Sequence, residues 1–392
     1  MKISKWILPC IVTAQFCCTS LWFAVNAVMV DLSVNFHLEN TALEQLTSAI
    51  QFGFIIGTLT FAIWTIADRF SPSKVFCFSA LSGALLNALM LLETNTLISL
   101  LLLRFLTGFF LAGIYPIGMK IAADYYEKGL GKSLGFLVGA LVLGTAFPHF
   151  LKSFDGILSW QTLVLITSFL ALFGGLLMLV FVPDGPSRKA SKSLDYGAVF
   201  KIFKGEKFRV AAIGYFGHMW ELYTFWMLVP VLLTSYFLEH PEFNFNVNWW
   251  AFIIIGIGSL GCVLGGYLAE SFGTKKIASL SLALSLACCA VAPFLFEWAS
   301  PVFFVIFLMF WGIVVIADSP LFSTLVATSA PSESKGTALT IVNCIGFSIT
   351  IVSIQLLTMA QRQTDTHFVY WLLALGPIVG LFFIYKNKKI QR

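Results

Sequence analysis

Four ionisable side chains stand inside long apolar runs, and their chemistry frames what the chain could do. His218 and Glu221 occur in Gly214-Tyr215-Phe216-Gly217-His218-Met219-Trp220-Glu221-Leu222-Tyr223. Their i, i+3 spacing puts both on one helix face. Asp318 lies in Ala317-Asp318-Ser319-Pro320, where the proline leaves a carbonyl one turn back without a donor and opens the helix locally. Arg104 sits in the middle of another apolar run. A charge at mid-membrane costs about 2.5 to 3.5 kcal/mol on insertion scales, so each group must meet water, a partner or a substrate. A buried carboxylate near an imidazole can take up and release a proton close to neutral pH. His218, Glu221, Asp318 and Arg104 are therefore the proton-coupling candidates. Two plainer readings stay open: His218 and Glu221 satisfy each other, or Asp318 bonds a broken helix. Metal ligation by His218, Glu221 and Asp318 is a sharper alternative, since mixed histidine and carboxylate ligands suit divalent transition metals. No HxxxH or cysteine spacing accompanies it, and no metal or other cofactor is expected.

The elements that must position these groups follow from composition. The 392 residues are 58% hydrophobic and 11% charged, which excludes a water-soluble domain because no such surface could stay free of large apolar patches. Hydrophobic runs predict an all-α membrane protein with helices near 6–30, 45–67, 74–92, 96–122, 130–150 and 160–182. A second set follows near 209–237, 247–269, 275–296, 301–328, 335–359 and 367–386. Twelve transmembrane helices would then form two six-helix bundles, residues 1–182 and 209–392, joined by a polar cytoplasmic linker over 183–208. The first run, Trp6 to Val30, is too long for a signal-peptide centre and reads as an uncleaved helix. The eight cysteines have no CxxC spacing and read as small packing residues.

Charge distribution sets the expected topology. With the N-terminus inside, the inner segments collect nearly all lysines and arginines, and only Lys152 and Arg362 remain outside. The positive-inside rule therefore predicts cytoplasmic N- and C-termini, in a bacterial cytoplasmic (inner) membrane. The net charge of +5 lies in these anchors, so no nucleic-acid partner is expected. An internal duplication supports the two halves: Ala67-Asp68-Arg69-Phe70-Ser71-Pro72-Ser73-Lys74 and Ala269-Glu270-Ser271-Phe272-Gly273-Thr274-Lys275-Lys276 lie 202 residues apart.

These two loops resemble the Gly-x-x-x-Asp-Arg-x-Gly-x-Arg/Lys signature of the major facilitator superfamily. The second copy keeps Gly266, Gly273 and Lys275, with Glu270 for the acid; the first keeps Asp68 and Arg69 but has Trp64 at the first glycine. Arg104, Gly108 and Gly113 resemble the superfamily pattern of an intramembrane arginine followed by glycines. The resemblance implies the major facilitator fold, a proton-transfer role for the arginine, and a cytoplasmic gate made of Asp68, Arg69, Lys74, Glu270 and Lys275. Such exposed ion pairs contribute up to about 1 kcal/mol each; the alternative is that the bases only anchor the inner face. Gly135, Gly144 and Pro148 partly resemble the antiporter signature, whose Gly-Pro doublet and closing glycines are missing.

Polar residues on other helices are candidates for lining a substrate cavity: Gln15, Asn26, Gln51, Tyr115, Tyr223, Trp226 and Asn343. Intramembrane amides also simply bond between helices. The function read from these features is proton-coupled secondary active transport of a small organic solute by alternating access, in the direction of uptake, by a monomer. The partners would be that small-molecule substrate, protons and the lipid bilayer. The proposed outer loops hold the acids Asp31, Glu39, Glu44, Glu93, Asp155, Glu239, Glu242, Glu297 and Asp365 against two bases, which favours a neutral, zwitterionic or cationic solute. A drug or metabolite proton antiporter is the alternative, and a non-transporting sensor or assembly factor the alternative of another class. No nucleophile, base and orienting group converge at recognisable spacing, so an enzyme is not expected.

Overall fold

The computed structural model describes residues 5–39, 41–64, 66–126, 130–154, 158–186, 188, 203–241, 245–330, 335–364 and 366–386, without the side chains of residues 62, 67, 68, 130 and 335–337. Regular structure among them is entirely helical. The chain divides into two compact units, residues 1–194 and 195–392. Most of the expected linker over 183–208 lies outside the described residues.

Unit 1 holds α1 (Ile7–Thr19), α2 (Ala24–Ala27), α3 (Met29–Phe36), α4 (Ala42–Ile63), α5 (Ile66–Arg69), α6 (Pro72–Ala88), α7 (Leu97–Leu111), α8 (Tyr115–Tyr125), α9 (Leu130–Lys152) and α10 (Trp160–Phe181). Unit 2 holds α11 (Glu206–Glu239), α12 (Val247–Gly256), α13 (Gly258–Phe272), α14 (Thr274–Trp298), α15 (Pro301–Ala317), α16 (Ser319–Ser329), α17 (Lys335–Gln363) and α18 (Leu375–Lys386), the last preceded by a 3₁₀ segment over His367–Ala374. Ten helices among the described residues are long and apolar enough to cross a membrane, counting α7–α8, α12–α13 and α15–α16 as single paths. The shorter apolar α1 and the 22-residue α4 come in addition.

Four predicted helices are thus broken rather than continuous. The expected helix over 6–30 stops at Thr19, restarts at Ala24 and is interrupted again at Val28. The helix over 96–122 opens at Ala112 to Ile114, and that over 247–269 at Ile257. The helix over 301–328 breaks at Asp318, where Pro320 stands in the first turn of α16. Proline has no N–H for the carbonyl four residues back, and the Cys262 thiol lies 3.7 Å from that carbonyl, Ile316 O. The opening at Asp318 agrees with the one read from Pro320 in the sequence, whereas hydropathy does not reveal the other three breaks because mostly apolar residues continue through them.

Helix packing supports an internal repeat. In unit 1 a Cβ on Gly108 would strike the carbonyl of Ile50, and one on Gly57 the carbonyl of Phe109, so α4 and α7 meet backbone to backbone. In unit 2 the matching contacts are Gly312 on Ile254 O and Gly261 on Ile313 O, every position 204 residues further on. The loop motifs are 202 residues apart, so the two spacings differ by two residues between these helices and the loops. Glycine permits this approach because lipid supplies no hydrophobic drive between helices and close packing must replace it. Gly312→Ala should force α12 and α15 apart at a cost of about 1–3 kcal/mol. The check is the thermal midpoint of the detergent-purified protein, which should fall; an unchanged midpoint would mean the contact can relax.

Candidate functional site

Unit 2 buries an imidazole and two carboxyl groups in its helices: His218 and Glu221 on α11 and Asp318 at the α15–α16 break, each 1% exposed. They divide into two arrangements. His218 Nδ1 lies 2.8 Å from Asp318 Oδ1, an ion-pair distance, though the approach lacks hydrogen-bond geometry. Among the described residues His218 Nε2 and Asp318 Oδ2 have no partner. A polar group this dry without a partner is costly, so the dyad is a place where a proton or a hydrogen-bonding ligand would be stabilised.

Glu221 is held separately. Its Oε1 accepts from the Ser285 hydroxyl at 2.5 Å, the Trp311 indole N–H at 2.7 Å and the Cys289 thiol at 3.3 Å. Three donors on one oxygen are how protein replaces water around a buried carboxylate, each hydrogen bond to a charge contributing about 1.5–3 kcal/mol. The reading in which His218 and Glu221 satisfy each other therefore does not hold: they share a helix but each turns to a different partner. Sequence reasoning missed Ser285, Cys289 and Trp311. Ser285 and Cys289 are one turn apart on α14, a spacing that shows only once α14 faces α11. Cys289 thus bonds a carboxylate as well as packing.

Asn343, on α17, accepts from the Tyr215 hydroxyl at 2.7 Å, and the Tyr215 ring lies 5.9 Å from that of His218. Thr350 donates to Met219 O at 3.0 Å, and Thr224 and Ser353 bond at 3.0 Å, so α11 and α17 meet along a polar seam. Tyr223 packs its ring 5.1 Å from both Trp226 and Phe347, and Trp226 is fully buried.

Arg104, in unit 1, is fully buried and reaches a different kind of partner. Its Nη1 donates to Leu21 O at 3.0 Å and its Nη2 to Trp22 O. Both carbonyls lie in the gap between α1 and α2, where helical N–H donors are missing. The guanidinium fork therefore ties the broken first path to α7, a geometry a planar, two-pronged donor suits. Among the described residues it forms no ion pair with a carboxylate.

The other unit 1 candidates are scattered. Asn26 donates to Thr47 Oγ1 at 3.0 Å, the interhelical bond of the plainer reading. Gln15 and Gln51 are fully buried, and their side-chain amides have no hydrogen-bond partner among the described residues; Gln15 lies against Gly118. Tyr115 is buried at the start of α8. Glu44, assigned by sequence to an acidic outer loop, is instead 6% exposed in α4.

At the expected gate, the Asp68 side chain lies outside the described residues. Arg69, Lys74 and Glu270 are exposed and Lys275 half-buried, with no ion pair among the described residues. The bonds found at that end of unit 1 involve residues the sequence did not single out. Asp184 accepts from Ser71 at 2.6 Å and pairs with Arg188, which also donates to Phe70 O. Ser73 donates to Val182 O and Tyr125 to Pro183 O, both at 2.6 Å. These contacts fasten Val182, Pro183, Asp184 and Arg188 to the ends of α5, α6 and α8. Elsewhere in the unit, Lys152 pairs with Asp31 at 2.9 Å.

Helices of membrane-spanning length, glycine-mediated backbone contacts repeated in two units, and buried ionisable groups define a polytopic helical membrane protein. The sequence matches the family model of the Major Facilitator Superfamily over residues 11–354, and the chain belongs to that family. Among solved structures it is similar to a point mutant of the nucleoside transporter NupG, at 14% identity and a TM-score of 0.71, over 98% of this chain and all of that one. It is also similar to the proton:xylose symporter XylE bound to 6-bromo-6-deoxy-D-glucose, at 15% identity and a TM-score of 0.72, over 97% and 94%. At these identities the likeness establishes the fold. No curated protein matches the sequence.

Proposed function

We propose that this chain is a proton-coupled secondary transporter that moves a small organic solute across the bacterial inner membrane by alternating access, in the direction of uptake. The observation that carries this reading is the pair of arrangements in unit 2: a carboxylate held by three donors, and a histidine–aspartate dyad with unmatched polar atoms, all 1% exposed. Groups so placed are expensive to keep at membrane depth unless they bind or carry something. The solved structures similar to this chain include one whose name states proton symport and another whose name states nucleoside transport, which supports a carrier of small solutes. Twelve crossings are part of the proposal, with the broken α1–α3 path and α4 joining the ten long apolar paths, as are bundles over 1–182 and 209–392 and cytoplasmic termini. Uptake is favoured because the antiporter signature is incomplete.

The test is proton entry in proteoliposomes loaded with a pH-sensitive dye and challenged with a panel of neutral, zwitterionic and cationic solutes. Symport predicts that at least one solute acidifies the lumen and is itself accumulated under an inward proton gradient. Solute-driven alkalinisation would reverse the direction to antiport, and solute flux indifferent to the gradient would remove proton coupling.

A further inference from the structure

The three donors around Glu221 do more than bury a charge, because all of them meet the same oxygen. Ser285, Trp311 and Cys289 converge on Oε1, while Oε2 takes no hydrogen bond among the described residues. Trp311 is 1% exposed and its ring packs 4.6 Å from Phe225 and 5.7 Å from Phe307, so its indole N–H has a fixed aim. Ser285 is likewise 1% exposed. An oxygen already receiving three hydrogen bonds has no room for a fourth hydrogen, whereas its twin has.

We propose that Trp311 and Ser285 are positioning residues of the coupling site: they hold Oε1 as a permanent acceptor and leave Oε2 as the atom that takes and gives up the proton. This rests on the proton-coupled reading above. A proton arriving from water forms an O–H bond at Oε2 and turns the carboxylate into a neutral carboxyl with its C=O at Oε1. Release reverses the step, and no electrons are transferred. The titratable groups near Glu221 are His218 on its own helix, Cys288 and Cys289 on α14, and Asp318 at the α15–α16 break, with Cys262 on α13 beside Asp318. Among the described residues none of the buried groups of unit 2 is a lysine or arginine, so no fixed lysine or arginine charge neutralises the Glu221 carboxylate.

The assignment is read by difference infrared spectroscopy on the purified full chain, titrated with acid. A carboxyl C=O band that Glu221→Gln removes belongs to Glu221. Hydrogen bonds to a carbonyl oxygen weaken the C=O bond, so Trp311→Phe, which keeps the ring and loses the donor, should move that band to higher frequency. Ser285→Ala should do the same, and Ser285→Thr, which restores the hydroxyl, should return it. A band that stays in place in both Trp311→Phe and Ser285→Ala overturns the positioning role while leaving proton coupling at Glu221 intact. Absence of any band sensitive to Glu221→Gln across the titration would instead overturn coupling at Glu221 itself, and the positioning role with it.

Discussion

Glu221→Gln is expected to abolish proton-driven accumulation of the solute while carrier-mediated exchange persists in part. Glutamine has nearly the same shape and its carbonyl can still accept from Ser285 and Trp311, so the packing around α11, α14 and α15 survives. What disappears is the ability to gain and lose a proton, since the amide is neutral at every pH and carries a fixed NH2 where the carboxylate has its second oxygen. Coupling requires loading a proton to alternate with loading or releasing solute, and a side chain that is always neutral cannot alternate. The measurement compares uptake under an inward proton gradient with counterflow at equal pH on both sides of proteoliposomes. Retained gradient-driven accumulation would shift the coupling role to the His218–Asp318 dyad, whose unmatched polar atoms make it the next candidate.

The second large effect is expected at Arg104, and it concerns folding. Its guanidinium serves two carbonyls in the gap between α1 and α2. Leaving a buried polar group unmatched costs about 1–3 kcal/mol. Arg104→Met strands both carbonyls, and Arg104→Lys keeps a charge but replaces a planar fork by a single compact ammonium. Both variants should lose about 2–5 kcal/mol of stability, seen as a lower thermal midpoint and a smaller monodisperse fraction in detergent. Removing a desolvated charge works against the loss in the methionine variant, so lysine should rescue nothing and be the worse of the two. A lysine variant that folds normally and loses only proton coupling would support the proton-transfer role that the superfamily resemblance implies.

Much of the architecture was legible in the sequence because it follows from a solvent constraint. Apolar runs of spanning length can only be helices in lipid, and the loop signature pointed to the family. His218, Glu221, Asp318 and Arg104 were also legible, since a charge among apolar residues stands out in one dimension. Their partners were not. Ser285, Cys289 and Trp311 look like ordinary helix residues until α14 and α15 are packed against α11. The carbonyls that Arg104 holds belong to a helix break no hydropathy window detects, because apolar residues continue through it. Glu44 was misplaced in a loop for a related reason: hydropathy fixes the end of a helix only to within a few residues, and α4 begins at Ala42 rather than at 45.

The sequence by itself determined that the chain is helical, that its surface faces lipid, and which few side chains are too costly to be there without purpose. Only the tertiary structure decided that these side chains lie in separate groups, with Glu221 among three donors, His218 with Asp318, and Arg104 on bare backbone. The physical reason is that burial cost is a property of one residue and its neighbours in sequence. Hydrogen-bond satisfaction depends on which faces of distant helices meet, and that is set by backbone contacts such as Gly312 on Ile254 and Gly108 on Ile50.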